Sequence, residues 1–380
     1  MVRRAGDRFL RCGILDYGFA RIRCDDCGAE RLLAFSCKTR LCPSCAKKRQ
    51  FLFGEFLARE VVEDVSHRHL VFSLPRRLRL HVHHNRRLLS GISRCAYAAV
   101  LEVLRHGAGE PRWVGAAVHV IHTWGDLLDF HPHIHALVAW GLFDDRGGFH
   151  GAPPIPAEAI RDIFMHKVFK LMLREGVITE DIVADMRSWP HSGFHVWVGP
   201  LVSCLDARSM ENMSQYTARG PISLEKLDLV PGAQDKGGTL ELEWPEDASP
   251  SAAPSPSRRL ARAGAEDEPS RAGAGAEVSA RVICRAGKYI AKHKGDTRVF
   301  DPLSFIAELT THVPNHHQKM AIYYGRYSNR SRGLRKKAAL RLARSQGQAA
   351  PPSEVALAPE PEDAQRNASK ANWARFIKKV

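Results

Sequence analysis

Six of the nine cysteines in this 380-residue chain fall between positions 12 and 45, and four of them form two C-x2-C pairs. The pairs are CDDC (Cys24, Cys27) and CPSC (Cys42, Cys45), separated by 14 residues. A C-x2-C turn aims two thiolates at one point, so two such turns offer tetrahedral sulfur coordination. The opening stretch MVRRAGDRFLRCGIL has no apolar run of the kind that directs secretion. Cysteines crowded this way in a reducing compartment bind metal rather than pair as disulfides. Residues 1–50 therefore read as a zinc-binding ribbon held by Cys24, Cys27, Cys42 and Cys45. Cys37 and Cys12 are candidates to replace one of the four or to join a second site. A closed set of four thiolates leaves zinc no open position, so this Zn2+ is structural.

Charge narrows the class of partner. Lys and Arg outnumber Asp and Glu by 15, which makes a polyanion the natural partner and nucleic acid the commonest one. Lys47, Lys48 and Arg49 follow the second cysteine pair directly and are expected on phosphate. No apolar run approaches the ~20 residues that cross a bilayer, so the expected setting is cytoplasmic and nucleoid-associated, with no membrane.

The rest of the chain divides by composition. Residues 55–230 carry the pattern of a catalytic domain. A helix is expected in FLFGEFLAREVVEDV, and a buried strand in HRHLVFSL. A long helix closed by Gly107 follows, then two strands joined by a short turn at 126–129 and hence antiparallel. A helix between Pro156 and Gly176 and a third strand in GFHVWVGPLV complete this part. Residues 231–280 read as a disordered insert, since the stretch from 245 is rich in Pro, Ala, Ser and Gly and has no aromatic residue. Residues 281–345 resume ordered structure and end in a basic segment, and 346–380 read as a low-complexity tail. The fold class is α+β, a central antiparallel sheet flanked by helices behind an N-terminal zinc ribbon.

FHPHIHALV, residues 130–138, sets His131, His133 and His135 at alternate positions. A strand points all three at one face, whereas a helix scatters them. His133 and His135 can share a divalent cation, with His131 as a further candidate ligand. His122 and Asp126 are alternatives from the neighbouring strand and turn, and His195 from the next strand. The plain alternative is a strand of partly buried histidines without metal. On a basic chain, a cation held there would orient a phosphodiester and polarise its oxygens. A nucleophile is available in Tyr216, late in a helix expected over 207–218, with Arg219 just behind. A phenol attacks poorly at its ordinary pKa of about 10, and neighbouring cations ease the attack by neutralising the phosphate. The alternative is a structural tyrosine. YYGRYSNRSRGLRKK interleaves Tyr323, Tyr324 and Tyr327 with Arg326, Arg330 and Arg332, which suits bases and phosphates. It equally suits a core strand followed by a solvated tail.

Taken together, RCDDCGAERLLAFSCKTRLCPSCAKKR, FHPHIHALV, YTARGPISLEKL and FDPLSFIAELTTHVPNHHQKMAIYYGRYSNRSRG resemble, in that order, the rolling-circle transposases of the insertion-sequence ninety-one type. The resemblance covers about residues 8–340 outside the insert. These are HUH endonucleases, and the resemblance implies an antiparallel sheet whose histidine pair binds Mg2+ or Mn2+. It also implies a tyrosine that attacks single-stranded or hairpin DNA at the ends of a mobile element and forms a 5′-phosphotyrosine. Carried over, His133 and His135 become metal ligands and Tyr216 the nucleophile. Many members place a second tyrosine four residues before the first, where this chain has Asn212. Tyr289 is the substitute candidate. The chain also resembles a shortened copy at both ends. A competing expectation is a non-catalytic zinc-containing DNA-binding protein derived from such a transposase. A metal hydrolase of small substrates fits poorly, because HIHALVAWG supplies no carboxylate near the histidines.

Overall fold

β-Branched and aromatic residues alternating with polar ones set the central strands, and the core forms where their apolar faces meet helices. The structure, a computed structural model, describes residues 2–203, 206–230 and 280–345. The expected insert over 231–280, apart from residue 280, and the expected tail over 346–380 lie outside the described residues.

The N-terminal part runs α1 (Val2–Leu10), the hairpin β1 (Phe19–Arg23) and β2 (Glu30–Ala34), and α2 (Pro43–Phe56), which ends in a wider turn over Leu57–Val61. Then follow β3 (His67–Ser73), α3 (Arg76–His84), α4 (Leu88–Ala108), β4 (Ala116–Trp124) and β5 (Phe130–Ala139). A small hairpin, β6 (Gly141–Phe143) and β7 (Phe149–Gly151), leads to α5 (Ala157–Arg174), α6 (Glu180–Ser188), β8 (His195–Val202) and α7 (Ala207–Thr217). The chain ends in β9 (Leu227–Val230), β10 (Arg281–Ile290), β11 (Gly295–Phe300), α8 (Pro302–Thr310), β12 (Ala321–Gly325) and α9 (Asn329–Ser345).

Five strands pair antiparallel in the order β12-β4-β5-β3-β8. Strand alternation gives this sheet two distinct faces. Leu70, Phe72, Ile121, Ile134, Ala136 and Val138 point to the back, where they pack with Ile92 and Ala96 of α4 and Phe164 and Val168 of α5. Truncating Phe164, which is fully buried edge-on against Phe72, would cost about 3–5 kcal/mol. On the front, Val118, Leu137 and Ala139 pack with Leu57, Met210 and Tyr327. The register pairs His122 with His133 and Val120 with His135, so the three histidines share the front face beside α7.

One local expectation is corrected. The long helix runs past Gly107 and closes at Gly109, whose φ of 69° supplies the left-handed stop. The turn between β4 and β5 is more than a connection. Leu127 and Leu128 are buried there against Cys284, Ala286 and Phe300, the core of a second sheet ordered β11-β10-β9. The segment after 280 is thereby held beside the histidine strands, and it also supplies the edge strand β12.

Candidate functional site

The front-face histidines form one cluster. The ligating nitrogens of His122, His133 and His135 all lie within 4.8 Å of one another, and the Nε2 atoms of His133 and His135 are 3.1 Å apart. Two hydrogen bonds assign the rings. His133 Nδ1 donates to the His131 carbonyl at 2.8 Å, and His122 Nε2 donates to the Thr217 carbonyl at 2.8 Å. A carbonyl only accepts, so His133 keeps a bare Nε2 and His122 a bare Nδ1. The third ring is held from behind, with His135 Nδ1 lying 2.9 Å from His69 Nε2. Burial pushes the pKa of all three cluster histidines down, for His122 and His135 well down, which keeps the imidazoles neutral and able to ligate. The buried Nε2 of His131 has no hydrogen-bond partner among the described residues, so it can serve as a further donor into the same space. Three imidazole nitrogens at this spacing fit a divalent transition metal, and an all-nitrogen set suits Mn2+ better than Mg2+.

The cluster floors a cleft of about 320 Å³ that Tyr216, Arg219, Lys226 and Lys288 also line. Tyr216 sits on α7, 44% exposed, with its ring edge-on to His135 at 5.6 Å and to His69 at 5.7 Å. The Arg219 guanidinium lies 4.9 Å from the Tyr216 ring centre. α7 is capped by Asp206, which accepts from the Ser209 amide at 2.9 Å. Its partner is α2. A Cβ on Gly54 would sit 2.5 Å from Gln215 Cγ, so glycine is what lets α2 approach the tyrosine helix so closely. Arg40 and Arg49 reach the same junction, lining a small cavity with Arg219 and Gly220. Burial, and then Arg49 nearby, push Arg40 down to about 10.

The cysteine reading changes. The thiols that come together are Cys12, Cys37, Cys42 and Cys45. Their sulfurs stand 3.7 Å (Cys12–Cys42), 3.6 Å (Cys12–Cys45) and 3.6 Å (Cys37–Cys45) apart, against about 3.8 Å for thiolates 2.3 Å from one tetrahedral zinc. The donor set fits Zn2+. Cys24 and Cys27 lie instead in the turn at the far end of the β1–β2 hairpin. A five-residue strand at roughly 3.3 Å per residue separates that turn from the cluster. In that turn, hydrogen bonds from the Cys27 and Asp26 amides hold the half-buried Cys24 thiol below its usual range. Sequence spacing favoured the two C-x2-C pairs because it says nothing about which end of a hairpin folds back.

Other expected residues scatter. Asp126 is held by Lys288 at 3.1 Å and Lys226 at 3.8 Å rather than joining the histidines. His195 is exposed at the other edge of the sheet, and Tyr289 is exposed on β10 without lining the cleft. Arg326 is not a free phosphate contact, since its Nε pairs with Glu63 at 2.6 Å. Arg332 binds the Glu60 carbonyl and Asn329. Tyr327 is fully buried and donates to His67 Nε2 at 2.7 Å, so it is no base platform. Lys47 and Arg49 are exposed on α2, as is Arg330 on α9, and Arg49 donates to the Lys38 carbonyl. His69 and Arg40 escaped the sequence reading. His69 carries no motif, and its position opposite Leu137 is fixed only by strand register.

Residues 1–74 match the transposase zinc-binding domain, and residues 116–244 match the family described as putative transposase. The chain is similar to the putative transposase y4qJ of Sinorhizobium fredii, 35% identical over 33% of this chain and 31% of that protein. It is also similar to the transposase for insertion sequence element IS801 of Pseudomonas savastanoi pv. phaseolicola, 34% identical over 37% of this chain and 33% of that protein. The chain thus spans about a third of the length of the curated relatives it matches. No solved structure matches it.

Proposed function

We propose that this chain, which matches a transposase zinc-binding domain over residues 1–74 and a putative transposase family over 116–244, is a transposase of the insertion-sequence ninety-one type whose cleft cuts and rejoins single-stranded DNA through Tyr216, in an HUH-like site. The observation that carries this reading is the tyrosine ring lying against the imidazole cluster in one basic cleft. His122, His133 and His135, with His131 as a further donor, would hold a divalent cation, which would polarise the scissile phosphate. The Tyr216 hydroxyl oxygen attacks phosphorus and gives up its proton. The bond to the 3′-oxygen breaks, leaving a free 3′-hydroxyl and a 5′-phosphotyrosine. Arg219 beside the ring neutralises charge on the phosphate as it is transferred. Lys226 and Lys288 at the rim provide further phosphate contacts in exchange for Asp126. Asn212 stands where a second tyrosine could be, and Tyr289 lies outside the cleft, so a single nucleophile serves successive cleavage and joining. Substrate DNA from the ends of a mobile element, and Mn2+ or Mg2+ as the working ion, belong to the same proposal. No described helix is long and apolar enough to cross a membrane.

The test is covalent trapping on labelled single-stranded oligonucleotides with Mn2+, parent beside Tyr216→Phe. A metal-dependent adduct in the parent that the variant cannot form is the expected result. An adduct that persists in Tyr216→Phe removes the assignment. DNA binding without any adduct, in either protein, would favour the non-catalytic reading.

A further inference from the structure

The back of the central sheet carries a second basic surface. Between α4, the edge strand β12 and the loop over 311–320 lies a groove of about 570 Å³. Its cations are Arg86, Arg87, Arg94 and Lys319, joined by His316 and His317, and no carboxylate lines it. Among the described residues, Arg87, Arg94 and Lys319 have no ion-pair partner. The walls are held in place. Arg86 donates to the carbonyls of Thr311 and Val313, and Gln318 Nε2 donates to the Arg86 carbonyl, which moors the loop to the start of α4. Asn315 and Gln318 close the loop through two hydrogen bonds of 3.0 Å, beside His317 at a φ of 60°.

Arg87 and Arg94 are seven residues apart, about 10.5 Å along a helix. That spacing suits successive phosphates of a chain. The groove also lies close to the cleft. Arg86 stacks over Phe130 at 5.4 Å, and Phe130 precedes His133 by three positions on β5. Groove and cleft therefore lie on opposite faces of the sheet, both near the start of β5. We propose that this groove binds the phosphodiester backbone of the DNA cut in the cleft, on the flank outside the cleaved step. The proposal rests on the reading of the cleft given above.

The test uses Arg87→Ala/Arg94→Ala/Lys319→Ala, three exposed positions outside the core, and two oligonucleotides. One spans only the cleft and the other adds flanking sequence. Each phosphate contact contributes about 0.7–0.9 to the slope of log affinity against log salt. The triple variant should therefore lose about two units of slope and on the order of ten-fold in affinity on the longer DNA. Binding and adduct formation on the short one should match the parent. Parental affinity and slope on the longer DNA would overturn the proposal. So would displacement of that DNA by millimolar inorganic phosphate at constant ionic strength, which would mark a site for the free anion. The binding arms need no cleavage, so they decide the groove even if Tyr216→Phe still forms an adduct and the reading of the cleft fails.

Discussion

The cysteine cluster and the histidine cluster could each hold a metal ion, and they are built in opposite ways. Around Cys12, Cys37, Cys42 and Cys45 almost nothing else is buried. Phe9, Leu10, Phe19, Ile22, Leu32 and Leu33 are all exposed in the same stretch. The four sulfurs come from the end of α1, the end of β2 and the start of α2, and a shared ion is what can join them. The histidines instead stand on adjacent central strands with a full apolar core behind them. Their rings are aimed by carbonyls and by His69. Zinc would fold the surroundings of the cysteine cluster, whereas a cation at the histidines would enter a frame that packing has already set.

The largest effect should therefore come from the cysteines. Structural zinc contributes on the order of 10 kcal/mol to such small units. Cys42→Ser should lose bound zinc and leave residues 1–50 open to protease. Because α2 braces α7 across Gly54, adduct formation should fall as well. Cys24→Ser should keep the zinc of the Cys12 cluster. Equal zinc loss in both variants, measured by metal analysis of the purified proteins, would break the distinction between the two C-x2-C pairs.

A smaller effect should sharpen the other half of the comparison. His69→Ala removes the partner of His135 Nδ1 and leaves the three proposed ligands in place. Losses of about 10–100-fold in metal affinity are typical when such an outer partner is removed. Titration calorimetry with Mn2+ should show a loss of that order with the fold retained. His69→Gln, which can still accept from Nδ1, should restore part of it. Unchanged affinity in His69→Ala would mean that the ring of His135 is held by packing alone.

The smallest effect per group concerns histidines that serve the fold. Burial holds His67 and His312 down at about 4 and His119 at about 3, each with a hydrogen-bond partner inside the protein. The unfolded chain takes up these protons near pH 6.5 and the folded one does not, so their stabilisation is complete above pH 6.5. It is lost as pH falls toward 4, at about 1.4 kcal/mol per pH unit for each group. Urea melts of the zinc-loaded protein should show this decline between pH 7 and 5. A flat profile would mean that these rings are hydrated in solution.

Much of the fold was legible in the chain itself. The alternation through β5 announced a strand, and the short turn after β4 announced antiparallel pairing. In the cleft, the sequence pointed to His133, His135, Tyr216 and Arg219, and the structure gathers all four. It misled where two roles share one residue type. Arg326 and Tyr327 look like nucleic-acid contacts in a basic segment, but Glu63 and His67, more than 250 residues earlier, engage them instead. Glycine 107 looked like a helix stop because local propensity cannot tell which of two nearby glycines meets the turn.

What the sequence determined by itself is therefore local and periodic: which residues alternate toward one face, where helices start, and which chemistries are present. Tertiary structure decided the pairings across distance. It chose Cys12 and Cys37 over Cys24 and Cys27, brought His122 and His69 to His135, and set α2 against the tyrosine helix. The reason is physical. Periodicity is a property of the backbone at each residue, whereas a ligand set depends on strand register and on which hairpin end folds inward. Those are settled only when separate apolar faces are buried together.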